Sequence, residues 1–116
     1  MDVFQFKTYS GYIPIGKTSK SLHFMFVESQ KTVPKDSPIM IWFEGGPGCS
    51  SMLTWGIEHG PYVTEDGTFT FHYNEYSWNM EVNMLYIDSP GGVGYSTCED
   101  LDCTQDDDQS AKDKRD

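Results

Sequence analysis

A chain of 116 residues with 8 Lys and Arg against 18 Asp and Glu carries a formal net charge of −10, which leaves no basic face for nucleic acid or an anionic membrane. Aromatic residues make up 15% of it, too many for an intrinsically disordered chain. An α/β sheet covered by helices on both faces nevertheless needs about 200 residues as a rule, so the length points to a core that these residues close only in part.

In chain order, Gln5 to Tyr9 and Tyr12 to Ile15 are β-prone and separated by Ser10-Gly11, and Ser21 to Glu28 follows; together they predict antiparallel strands. Alternation puts Leu22, Phe24 and Phe26 on one face and His23 and Met25 on the other, with His23 expected on the more exposed side. Lys31 to Pro38 is a polar link. Ile39-Met40-Ile41-Trp42-Phe43 is an unbroken apolar run, the pattern of a strand buried on both faces of a parallel sheet. Gly45-Gly46-Pro47-Gly48 then turns the backbone sharply and keeps its N–H groups clear of side chains, which suits an anion. Ser50 caps a short helix carrying Met52, Leu53 and Trp55, and Gly60-Pro61 stops it.

Beyond the helix, Thr64 to His72 reads as a turn at Asp66-Gly67 with Phe69 and Phe71 on a short strand. Val82 to Asp88 is a second buried-strand candidate, leading into Ser89-Pro90-Gly91-Gly92-Val93-Gly94, a loop at a strand's carboxyl end where open α/β sheets place ligands. That loop lacks the third glycine of a dinucleotide fingerprint. From Glu99 onward the chain is acidic and approaches a helix starting near Gln105. Asp106-Asp107-Asp108 has neither the alternation nor the glycine of a calcium loop. Cys98 and Cys103 can pair locally, and their spacing is no zinc signature. No metal site and no cofactor are expected. No run reaches the length of a membrane-spanning helix, and Met1-Asp2-Val3-Phe4 lacks the segments of a signal peptide.

Four blocks stand in a telling order: Trp42-x-x-Gly45-Gly46-Pro47-Gly48-Cys49-Ser50-Ser51, Glu58-His59-Gly60-Pro61, Asn74-Glu75-Tyr76-Ser77-Trp78-Asn79, and Leu85 to Ser96. They resemble the amino-terminal portion of the serine carboxypeptidases, from about Tyr9 to about Asp113. The resemblance implies an α/β-hydrolase fold in which antiparallel entry strands lead into a mainly parallel sheet, with residues 1–116 an amino-terminal fragment of one such domain. In that superfamily the loop after the third strand supplies an N–H of the oxyanion hole. By resemblance Gly46 gives that N–H, Glu44, Gly45 and Glu58 bind the substrate's terminal carboxylate, and Cys49 matches a disulfide cysteine whose partner is absent here. The usual residue at Glu44 is Asn. Glu donates to a carboxylate only when protonated, so binding is expected in acid and lost as pH rises.

The chemistry needs a serine on a strained elbow, a histidine and an orienting acid. Ser89 and Ser96 are near misses of the elbow pattern, Ser50 and Ser51 begin the helix behind the oxyanion loop, and His59 and His72 match no catalytic histidine. A hidden triad such as Ser51, His59 and Asp88 is not expected. The reading is therefore a serine-type carboxypeptidase acting on peptides with a free carboxyl end, in the lysosome, vacuole or secretory route. Residues 1–116 alone are expected to be inactive and to expose the strands 39–43 and 82–87. Two alternatives remain, an acyltransferase on the same scaffold and a non-catalytic truncated product.

Overall fold

The computed structural model describes residues 6–31, 33–65, 68, 70–99, 103 and 107–115. Strands β1 (Thr8–Pro14), β2 (Ser21–Val27), β3 (Ile39–Phe43) and β6 (Asn83–Ile87) form one sheet in the order β1-β2-β6-β3. The β1–β2 and β2–β6 pairings are antiparallel, and β3–β6 is parallel. Strands β4 (Tyr62–Thr64) and β5 (Phe71–Tyr73) make a separate antiparallel pair. This is a mixed α/β fold with antiparallel entry strands, as the sequence implies. Ser10-Gly11 does not divide β1 in two, because both residues pair with β2, opposite Met25 and Phe24. Strand β4 has no counterpart among the sequence expectations. Asp66, Gly67 and Phe69, on which the turn reading rested, lie outside the described residues.

The alternation of β2 sorts the core into two clusters. Phe6, Val27, Met84 and Tyr86 are buried on one face, with Met25, Trp42, Met52 and Trp55 packed against them. Ile15, Leu22 and Ile87 are buried on the other, with Phe24, Phe43 and Leu85 alongside. Helix α1 (Ser51–Ile57) brings Met52 and Trp55 to the first face. Helix α2 (Asp107–Arg115) reaches the rest of the chain through a buried ion pair, Lys20 Nζ to Asp113 Oδ2 at 3.0 Å, and through Lys114 Nζ, 4.9 Å from the centre of the Phe43 ring.

Of three expectations about exposure, the first holds for residues 1–116 and the other two need correction. Ile39, Met40 and Ile41 are 63%, 41% and 52% exposed, because β3 pairs with β6 alone and no described strand lies on its outer side. Strand β6, expected to lie open in this chain, is instead central, with Asn83, Met84, Tyr86 and Ile87 all buried. His23 is only 6% exposed. The face that carries it is covered by Tyr12 and Tyr95, whose rings lie 5.6 and 5.2 Å from the imidazole.

Candidate active site

The Gly-rich turn leaves β3 at its carboxyl end and enters α1 through a set of fixed contacts. Ser50 caps the helix by accepting from the Met52 amide at 3.1 Å and donates its own hydroxyl to Asp88 Oδ1 at 2.6 Å. Ser51, fully buried, donates to the Ile87 carbonyl at 2.6 Å and accepts from the Glu44 amide at 3.1 Å. These bonds fasten both ends of the loop to the carboxyl end of β6. Between them, residues 45–49 stay exposed. Gly46 has φ +119°, and a Cβ there would stand 2.8 Å from Cys49 Sγ, so only glycine fits. Cys49 is an exposed free thiol, whereas Cys98 and Cys103 form a disulfide.

Asp88 directly follows β6 and is completely buried. Its carboxylate accepts from Ser50 Oγ, from the Ser51 amide at 2.9 Å, from the Tyr95 amide at 3.1 Å and from His23 Nδ1 at 3.1 Å. Four donors around one carboxylate satisfy its lone pairs, which is what a buried charge requires. Gly94 makes room for it: φ is +57°, and a Cβ would meet Asp88 Oδ2 at 2.5 Å. No sequence spacing announced this hub, although its place at a strand's carboxyl end, before Ser89-Pro90, is where an α/β sheet collects functional groups.

The residues expected to anchor a carboxylate gather around an aromatic box. Glu44 Oε2 accepts from Trp42 Nε1 at 3.3 Å, and Glu44 Oε1 accepts from the Gly45 amide at 3.0 Å. The Gly45 N–H, expected to be free for substrate, is thus held by the neighbouring side chain. Glu58 is exposed at the carboxyl end of α1. Between the elements that carry the two acids lies His59, stacked on Trp78 at 3.9 Å, edge-on to Trp42 at 4.8 Å, and with Nδ1 3.1 Å from the Tyr86 hydroxyl. Burial raises the Tyr86 phenol well above its usual value, so it stays protonated and is able to donate to Nδ1. The other ring nitrogen, Nε2, is buried without a hydrogen-bond partner among the described residues.

Burial also lowers the His59 pKa below the ordinary 6.5, while the charges of Glu58 and, more weakly, Glu44 pull it upward. A folded value below the unfolded one favours the neutral ring. Its contribution to stability is full above about pH 6.5 and is lost as pH falls through the lowered folded value. Urea midpoints should therefore drop on going from about pH 7.5 to about pH 5, and His59→Phe should flatten that slope. An unchanged slope would show that other groups set it.

The trio Ser51, His59 and Asp88 forms no relay: Ser51 meets Asp88 only through its amide while its Oγ bonds the Ile87 carbonyl, His59 bonds Tyr86, and the Asp88 carboxylate holds His23. The signal for His59 was available in Glu58-His59-Gly60-Pro61, but periodicity gave no sign that it would be enclosed by Trp42 and Trp78. Among the described residues, no group of three His, Cys, Asp or Glu is placed to hold a metal ion, and no helix is long and apolar enough to cross a membrane.

A family profile described as serine carboxypeptidase matches residues 1–116. The mouse (Mus musculus) lysosomal protective protein is 48% identical over 82% of this chain and 20% of its own length. Serine carboxypeptidase-like 21 of Arabidopsis thaliana is 44% identical over 95% of this chain and 23% of its own. The crystal structure of a prohormone-processing carboxypeptidase from Saccharomyces cerevisiae superposes with a TM-score of 0.78 at 28% identity, covering 93% of this chain and 26% of that one. The chain therefore spans about a fifth of the length of the curated relatives it matches.

Proposed function

The chain belongs to the serine carboxypeptidase family, and on that premise we propose that its Gly-rich loop and Glu58 form the substrate-anchoring half of a serine-type carboxypeptidase site. The Gly46 N–H takes the oxyanion of the tetrahedral intermediate. Glu44, Gly45 and Glu58 receive the terminal carboxylate of a peptide. Nucleophile, base and orienting acid belong to the part of the family's length that these residues do not span.

The observation that carries this reading is the bond from the Gly45 amide to Glu44 Oε1. A carboxylate already rests on the amide assigned to the substrate's carboxylate. An ionised Glu44 competes with the substrate for that N–H and repels it, while a protonated Glu44 yields the site and becomes a donor. Such an anchor needs the acid form of Glu44. A lysosomal or secretory location fits it, and the Cys98–Cys103 disulfide fits an oxidising compartment.

The experiment is Glu44→Asn in the full-length enzyme. Asn supplies a neutral donor, so kcat/KM for free-carboxylate peptides should rise about tenfold or more near neutral pH, the worth of one charge-assisted bond. It should change little in acid, or for amidated substrates. Superimposable pH profiles would leave the carboxylate to Gly45 and Glu58 alone. A strong preference for ester donors over peptides, in either form, would move the reading to acyl transfer.

A further inference from the structure

On the face of the sheet that carries His23, a second group of side chains is arranged for chemistry, and it shares none with Glu44, Gly45, Gly46 or Glu58. Ser10 Oγ lies 2.9 Å from His23 Nε2, and His23 Nδ1 lies 3.1 Å from Asp88 Oδ2. In the β1–β2 register Ser10 pairs with Met25 and Tyr12 with His23, so Ser10 and His23 are diagonal neighbours on one face. We propose that Ser10, His23 and Asp88 form a nucleophilic relay that reacts with activated esters and organophosphorus groups at the mouth of an apolar cavity.

Each member has the neighbours its role demands. The other groups that bond the Asp88 carboxylate are all donors, and their bonds hold it still, so it accepts from Nδ1–H and leaves the Nε2 lone pair for the Ser10 hydroxyl. The His23 ring is buried between Tyr12 and Tyr95, which fixes its plane. Ser10 itself is exposed. It opens on a cavity of about 860 Å³ lined by Tyr12, Met25, Trp55, Ile57 and Tyr95 as well as by Ser10 and His23. A mainly apolar cavity with a few convergent polar groups suits a small apolar ligand.

The reaction class follows from what surrounds Ser10. It sits within the β1–β2 ladder, not on an elbow beside a glycine loop, so the group attacked must bring a good leaving group of its own. With an alkyl fluorophosphonate, Ser10 Oγ bonds to phosphorus, its proton passes to His23 Nε2, and the P–F bond breaks with release of fluoride. With a p-nitrophenyl ester, Oγ takes the acyl group, p-nitrophenolate leaves, and water then hydrolyses the acyl-serine to the free acid. Peptide amides, with a poor leaving group, are not substrates here.

Tryptic mapping of the native protein after exposure to an alkyl fluorophosphonate tests this directly. Cleavage after Lys7 and Lys17 releases the peptide Thr8–Lys17, in which Ser10 is the only serine, and fragmentation distinguishes Ser10 from Tyr9 and Tyr12. Ser10 should carry the adduct. His23→Gln should slow labelling about 100-fold, the usual worth of a positioned base, and Ser10→Ala should abolish it. Urea should abolish Ser10 labelling of the wild type, a comparison that decides the matter even if His23→Gln fails to fold. An unmodified Ser10, or one labelled equally fast in urea, or equally fast in folded His23→Gln, would overturn the proposal and leave the relay as a tie between strands.

Discussion

Asp88→Ala is expected to cost about 3–5 kcal/mol of stability, the range for removing one member of a buried, fully bonded charge network. The loss has a specific composition. The Ser51 and Tyr95 amides and His23 Nδ1 lose their acceptor together, and Ser50 keeps its cap to Met52 but loses its own acceptor. Against a total of about 5–15 kcal/mol for an ordinary domain, little cooperative stability should remain. Asp88→Asn keeps the shape but offers one acceptor oxygen and a misplaced donor, so its urea midpoint should fall between those of Ala and wild type. Lys31→Ala is the contrast. The Lys31–Glu81 pair is short, 2.6 Å, but its side chains are 51% and 76% exposed, and its loss should cost about 1 kcal/mol at most. Equal midpoints for Asp88→Ala and Lys31→Ala would mean that the loop is held by something other than the carboxylate.

The second large effect is expected at Gly46. On the proposed assignment of its N–H to the oxyanion, Gly46→Ala in a full-length protein should lower kcat by about 100- to 1,000-fold, the usual consequence of losing one oxyanion donor. With φ at +119° and Cys49 Sγ 2.8 Å from the new Cβ, alanine forces the backbone to turn, which swings the N–H away from its target. Cys49 N would also lie 3.1 Å from that Cβ, so rotation of the thiol alone does not relieve the clash. Gly45→Ala is the matched control. No atom lies within 4 Å of a Cβ built there, and Gly45 is not among the positive-φ glycines. Its kcat should stay close to wild type, with any change appearing in KM through the carboxylate anchor. Equal losses of kcat at the two glycines would remove Gly46 from the oxyanion hole.

Much of the architecture, and the residues of the candidate site, were legible in the residue order, because local rules govern them. The apolar run Ile39 to Phe43, the glycines after it and the serine cap at Ser50 specify strand, turn and helix within a dozen neighbouring positions. The alternation of Leu22, His23, Phe24 and Met25 assigns each to a face, and the two buried clusters follow that assignment. The order of the four matched blocks was enough to suggest the family. Alternation, however, says which face a side chain takes and nothing about what will cover it. His23 was for that reason expected near solvent. Its burial was decided by elements distant in the chain, Asp88 and Tyr95. The Asp88 hub draws donors 37, 38 and 65 residues away, separations that no window of sequence spans. The hold of Glu44 on the Gly45 amide lies between adjacent residues, yet it is a matter of side-chain rotamer and so of the packing around Trp42. Residue type and spacing determined which groups this protein has for its chemistry; tertiary packing decided which of them meet, because burial and hydrogen bonding are satisfied only between surfaces that the fold brings together.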